Sequence, residues 1–173
     1  MNRWGRVIVT LDAHKDMAMP PLPRLGIMLP VERSMRHVTY YGYGPDESYI
    51  DKREHCYVDM FQAEVEDLHE NYIRPQENGS HYHCRYVSLE NEKYRLLAEA
   101  DNYLDFNVSD YTVEELAGKR HNFELEPASG SLLSLDARMM GIGSNSCGPD
   151  LPEEFLRDEA HTVWKVQLQI EEL

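Results

Sequence analysis

Most segments of this chain place apolar residues at every second position rather than at helical spacing, which predicts strands. Val7, Val9 and Leu11 alternate with Ile8 and Thr10, a short strand expected to be buried on both sides. Leu25, Ile27, Leu29 and Val31 share one face of a second run, and Pro30, which lacks an amide donor, marks that run as an edge or an end. Arg36 to Tyr43 is rich in Tyr, Val and Thr, as strands are. Tyr82, Cys84 and Tyr86 oppose His81, His83, Arg85 and Val87, and Leu132 to Leu135 is a compact apolar run. In the clearest amphipathic strand, Trp164, Val166, Leu168 and Ile170 face inward while Lys165, Gln167 and Gln169 face water. Turn residues separate these runs at Pro20–Pro23, Gly42–Pro45, Asn78-Gly79, Ser129-Gly130 and Gly141–Pro149. One helix start stands out: Thr112-Val113-Glu114-Glu115 has the capping-box pattern, and Gly118 ends the helix after a turn or two. The expectation is an all-β antiparallel sandwich or barrel, with one short helix near 112–118. No linker, repeat or low-complexity tract divides residues 1–173, so one domain is expected.

Length and composition agree. A chain of 173 residues is long enough to bury about two thirds of its unfolded surface without staples. Its 11 Tyr, 4 Phe and 2 Trp argue against disorder. Lys plus Arg number 17 against 31 Asp plus Glu, a net charge of −14. That balance repels phosphate backbones and anionic headgroups, so nucleic acid and membrane are excluded as partners, whereas neutral ligands such as sugars stay open. Cys56, Cys84 and Cys147 form no CxxC pair and cannot all pair within one chain, which favours a reducing, cytoplasmic setting. The apolar run Val7–Leu11 is too short for a signal core, and no stretch approaches the roughly 20 apolar residues of a membrane span.

Candidate chemistry is sparse. Glu66-Asp67, Glu114-Glu115 and Glu153-Glu154 read as solvated or helix first-turn charges rather than acid–base pairs. His81 and His83, two apart on a strand, share a face, but a third metal ligand within local reach is missing, and two solvent-side residues are the simpler reading. His55, His69 and His121 have no helpful spacing. There is no GxSxG, no GxxxxGK[ST] and no GxGxxG between a strand and a helix. The Gly-rich loop from Gly141 to Pro149 can still present amides, Asn and Ser to a ligand.

Three blocks in order carry a resemblance. Tyr41-Gly42-Tyr43-Gly44-Pro45-Asp46-Glu47-Ser48-Tyr49-Ile50-Asp51-Lys52-Arg53 is similar to the G-x-G-P-x-E-x-Y-x-D-R signature of large bacterial β-galactosidases. Tyr72-Ile73-Arg74-Pro75-Gln76-Glu77-Asn78-Gly79 resembles their Y-x-x-P-Q/S-E-N-G block, with the strand from His81 to Leu89 behind it. Leu135-Asp136-Ala137-Arg138-Met139-Met140-Gly141-Ile142-Gly143 resembles the D-x-x-x-M-G-x-G segment leading to the family's last loop, and Thr112 onward matches a Y-T-x-E-E-L stretch. The resemblance, over about residues 5–170, is to the C-terminal domain of glycoside hydrolase family two β-galactosidases, which is the small subunit in heterodimeric members. It implies an antiparallel supersandwich like galactose mutarotase, of which only the later part is expected here, with the family domain already under way at Met1.

The family's catalytic glutamates lie on a separate barrel domain, so the resemblance assigns no catalytic residue to this chain. It also implies no cofactor or metal in this chain, with magnesium and sodium expected only on the missing domains. What carries over is the last loop, which reaches the active-site mouth where many members place a Trp. Cys147 stands there, with Asn145 and Ser146 beside it as hydrogen-bonding groups. These three are the candidate substrate-binding residues, although a thiol does not stack on a pyranose as an indole does. The implied partners are the catalytic barrel or large subunit and a galactoside such as lactose. From the residues themselves, Glu77 is expected to cap amides or pair with Arg74 or Arg85, Gly42, Gly44 and Pro45 to form a turn, and Tyr40, Tyr41 and Tyr43 to be core or interface rather than a sugar-stacking strip. Two other readings stay open: a free-standing carbohydrate-binding or mutarotase-like domain, and an interaction module that self-associates through an open sheet edge.

Overall fold

A 16-residue strand with no turn signal inside it organises the molecule. The computed structural model describes residues 5–143, 148–156 and 158–173. The described strands are β1 (Gly5–His14), β2 (Arg24–Val31), β3 (His37–Gly44), β4 (Tyr57–Glu64), β5 (His81–Glu90), β6 (Tyr94–Ser109), β7 (Ser131–Met139) and β8 (His161–Glu172). All their pairings are antiparallel. β6 is the long one. One side of it pairs with β5, and β5 passes the ladder to β3 and β4. The other side is shared: Tyr94–Ala100 pairs with β8, which carries β1, and Asp105–Ser109 pairs with β7, which carries β2. The sheet therefore forks at β6 into two wings. The all-β antiparallel class matches the periodicity.

The two faces of the sheet differ in chemistry. On one, Val38 and Tyr40 of β3, Cys84, Val87 and Leu89 of β5, Leu104, Phe106 and Val108 of β6, Leu133 and Leu135 of β7, and Trp164 and Val166 of β8 form a single apolar core. On the other, Asp105 and Asn107 of β6 stand across from Asp136 and Ser134 of β7. All four are buried although polar. The chain between β4 and β5 reaches this polar face, where the Asn107 side-chain amide donates to the Asn78 carbonyl at 2.5 Å.

Local structure departs from the sequence pattern in identifiable places. β1 is an outer strand with Val7 and Ile8 exposed, not buried on both sides, because only β8 flanks it. β2 is an edge strand as Pro30 implies, but a bulge at Leu25/Gly26 breaks the shared face ahead of Ile27. β5 is irregular between His81 and Tyr86, and His83 sits at φ 59°. His81 is consequently core rather than solvent-facing, only 1% exposed and packed against Tyr40 and Phe106 with ring centroids 4.5 and 4.9 Å away. Gly42 and Gly44 lie inside β3, not in a turn; Cys84 Sγ and the Tyr40 hydroxyl occupy the space a Cβ would need there. Ile170, at the far end of β8, is exposed.

The predicted helix is present as α1 (Val113–Gly118), with Thr112 Oγ1 accepting from the Glu115 amide at 3.1 Å. The second half of the capping box is not made, since Glu115 accepts instead from the amide of Glu126 at 2.8 Å. A further helical turn, α2 (Glu153–Leu156), and 3-10 turns at Val65–Leu68 and Asn122–Glu124 complete the described elements. No described helix is long and apolar enough to cross a membrane.

Candidate functional site

The three sequence blocks meet on the polar face. Residues 49–52 close a tight loop in which Tyr49 and Lys52 exchange backbone hydrogen bonds of 2.9 and 3.1 Å. Glu47, just ahead of it, is 4% exposed. One of its oxygens accepts from Lys52 Nζ at 2.5 Å and from the Tyr72 hydroxyl; the other accepts from the Gly79 amide at 2.7 Å and from the Tyr49 hydroxyl at 3.4 Å. Burial alone would push this carboxyl up, but the bonds from Lys52, Tyr72 and Gly79 outweigh it and hold Glu47 below the usual carboxylate range. A carboxylate so held is an anchor for loops and has no free oxygen pointing at a cavity.

The second block is fixed by the same anchor. Gly79 adopts φ +71°, and a Cβ there would stand 2.3 Å from the Leu68 carbonyl oxygen, so only glycine brings its amide to Glu47. Asn78 secures the approach: its Oδ1 accepts from the Glu70 amide at 3.0 Å and its Nδ2 donates to the Gln76 carbonyl at 2.9 Å. Glu77 pairs with Arg24 at 3.4 Å, not with Arg74 or Arg85. Arg85 instead reaches Tyr103. Arg24 also clamps Asp136 of the third block at 2.5 Å. Burial raises the Glu77 and Asp136 carboxyls, and Arg24 opposes it in both. These two acids share one guanidinium. Arg24 and Glu77 line a crevice of about 20 Å³, room for about one water.

Asp51 joins the first block to the third. Its carboxylate accepts from the amides of Ile142 at 3.1 Å and Gly143 at 2.8 Å. The spacing of the two glycines follows from this grip. A Cβ at Gly141 would lie 2.5 Å from Asp51 Cγ, and Gly143 turns the chain through φ +78°. The Gly141 amide donates to the Phe155 carbonyl at 2.9 Å, tying the root of the loop to α2. Beside this root opens a cleft of about 760 Å³ walled by Asp51, Lys52, Tyr72, Gln76, Ile142 and Phe155. Among the described residues, this cleft is large enough for a sugar.

The candidate residues Asn145, Ser146 and Cys147 lie outside the described residues, in the loop that leaves Gly143. The other candidates do not converge. Tyr40 is core, Tyr41 is 40% exposed, and Tyr43 packs on Tyr82, so the three tyrosines make no common strip. Glu66 pairs with Arg36 at 2.5 Å, and Glu114 and Glu153 sit in helix first turns. His121 lies beside Glu124 at 3.4 Å, and the His69 ring packs at a tilt of 58° against Tyr111. The roles of Glu47, Asp51 and Arg24 are not readable from spacing, since each acts on a residue dozens of positions away; Glu47 and Asp51 at least stand within the first block, whereas Arg24 lies outside all three.

Comparison with known proteins places these blocks. Residues 1–169 match the family described as "Beta galactosidase small chain". A β-galactosidase of Actinobacillus pleuropneumoniae is 40% identical over 151 residues, covering 87% of this chain and 15% of that protein. One of Staphylococcus xylosus is 37% identical over 169 residues, covering 98% and 17%. One of Arthrobacter sp. (strain B7) is 34% identical over 167 residues, covering 92% and 16%. The chain thus spans about one sixth of the length of the curated relatives it matches. With the match running through all three blocks that grip the 141–143 loop root, the chain belongs to the β-galactosidase small-chain family.

Proposed function

We propose that this chain is the non-catalytic small-chain portion of a β-galactosidase, packed on a catalytic barrel, and that its last loop lines the outer sugar subsite. The observation that carries the reading is the grip of Asp51 on the Ile142 and Gly143 amides at the edge of the 760 Å³ cleft. It fixes the backbone at the point from which the chain runs on to Asn145, Ser146 and Cys147. The acids of the three blocks support a positional role, because Glu47, Asp51, Glu77 and Asp136 are each committed to an amide or a cation. The reacting carboxylates and any magnesium or sodium then belong to the rest of the enzyme. Free thiols at Cys56 and Cys84 suit a reducing compartment such as the cytoplasm. In isolation, the outer strand β1 offers a second copy a pairing template through its unpaired edge.

The test is complementation. The purified chain is mixed with the separately produced remainder of a related β-galactosidase, and release of nitrophenol from nitrophenyl-galactoside is followed. Turnover is expected only in the mixture. Turnover by the chain alone, or saturable galactose binding by the chain alone in calorimetry, overturns the reading.

A further inference from the structure

Away from the motif face, the ladder between β1 and β8 ends in an unusual pair. His14 and His161 are direct cross-strand partners, and their imidazoles stack with centroids 4.0 Å apart and planes 7° from parallel. Asp12, two residues back on β1, brings Oδ1 to 2.8 Å from His161 Nε2 and 3.6 Å from His14 Nε2. The ligand atoms of all three residues lie within 4.8 Å of one another, and all three residues are exposed. The nearest lysine on β1's end does not compete for the carboxylate, since Lys15 Nζ is held by Asp158 at 2.5 Å and by the Met19 carbonyl at 2.9 Å.

We propose that Asp12, His14 and His161 form a binding site for a borderline divalent transition metal of the zinc class. Two imidazoles and one carboxylate are a donor set for zinc, nickel or copper rather than for calcium or magnesium, which prefer oxygen alone. Tetrahedral zinc with bonds of about 2.0–2.1 Å sets its donors about 3.4 Å apart. The 2.8 and 3.6 Å separations bracket that value. The remaining adjustment is a rotation of exposed side chains that opens the imidazole stack. Three protein ligands leave the fourth position to water. Because β8 is the sole strand that holds β1, the metal acts as a clip on the outermost strand. Spacing in the sequence does not reveal it, because almost the whole chain separates His14 from His161.

The experiment is calorimetric titration of the intact chain with zinc chloride, with thermal unfolding followed in parallel. One zinc per chain is expected, with a rise in Tm on adding it. His14→Ala and His161→Ala should each weaken binding by at least about tenfold and remove the Tm rise, and Asp12→Asn should weaken it less. His55→Ala, at an exposed histidine elsewhere, should leave both unchanged. Zinc binding that survives His14→Ala and His161→Ala, or an intact chain that takes up no zinc, overturns the proposal. Far-UV circular dichroism of each variant without metal distinguishes a lost ligand from a lost fold, and these exposed positions are expected to keep the wild-type spectrum.

Discussion

Replacing Glu47 with Gln removes one charge from the polar face and changes almost nothing in shape. The carboxylate is 4% exposed and receives donors from Lys52, Tyr72, Gly79 and Tyr49. A hydrogen bond to a charged group contributes about 1.5–3 kcal/mol net. The Lys52 contribution is discounted to about 1 kcal/mol or less, because that ammonium is 39% exposed and screened. Glutamine keeps one acceptor oxygen but turns an NH₂ toward a donor, so at least one of the Tyr72 and Gly79 bonds is lost. The expected loss is about 2–4 kcal/mol at pH 7, a large share of the roughly 5–15 kcal/mol that holds a domain together. Urea titration measures it as a lower midpoint at an unchanged slope. The pH dependence has a definite sign. Glu47 sits below the usual carboxylate range when folded, so its contribution is complete above the ordinary value of about 4.3 and fades as pH falls through the folded value. Wild type and Glu47→Gln should therefore converge on acidification. A loss below about 0.5 kcal/mol at pH 7, less than any one of these bonds is worth, or a gap that stays constant down to acid pH, would refute the assignment of Glu47 as a charged anchor.

Three further outcomes follow from the same geometry. Gly79→Ala forces a Cβ to 2.3 Å from the Leu68 carbonyl oxygen at φ +71°, and a loss of at least about 2 kcal/mol is expected, read as a fall in Tm. Asp51→Ala frees the Ile142 and Gly143 amides; hydrogen exchange at those two amides should rise by about tenfold or more, with only about 1–2 kcal/mol lost in global stability. His81 is held neutral by burial, which lowers its pKa to about 4. The unfolded chain takes up that proton near 6.5, so stability falls as pH drops from about 6.5 to 4, by up to about 3 kcal/mol. In His81→Phe that part of the acid sensitivity should vanish, as urea midpoints across this pH range would show.

How far residue patterns lead can be seen by comparing strands. β8 was legible because Trp164, Val166 and Leu168 alternate against Lys165, Gln167 and Gln169 with one face toward water. β6 was not, although it is the longest and most central. Its first half, Tyr94 to Ala100, is built of Leu, Ala, Arg and Glu, all good helix formers, and pairing on both sides overrides that propensity. Its second half buries Asp105 and Asn107 as well as Leu104, Phe106 and Val108, so it has no polar-outward face to read. β4, with Tyr57, Val58 and Met60 exposed, offers no buried stripe either. His81 was misjudged for a different reason: the irregular pairing after it and the left-handed His83 break the period-two rule that put both rings in water. The site was half legible. Turn glycines announced that the three blocks had fixed geometry, but which acid gripped which amide depended on the fold bringing Asp51 to Gly143.

That grip is one of several contacts that charged side chains make beside the apolar core. Asp105 and Asp136 face each other across the β6–β7 ladder, an arrangement that like charges disfavour. It is tolerated because Arg24 clamps Asp136, while Asp105 accepts the His83 and Met139 amides at 2.8 and 3.2 Å. The Met139 amide lies at the end of β7, where the chain leaves the sheet for the 141–143 root. Buried Asp105 and half-buried Asp51 thus take up backbone donors along the path to the loop root, at Met139, Ile142 and Gly143. An apolar replacement of Asp105 and Asp51 would leave these three amides without their acceptors. Acids that merely filled space would not converge on the amides of one short segment; these sit on Met139, Ile142 and Gly143.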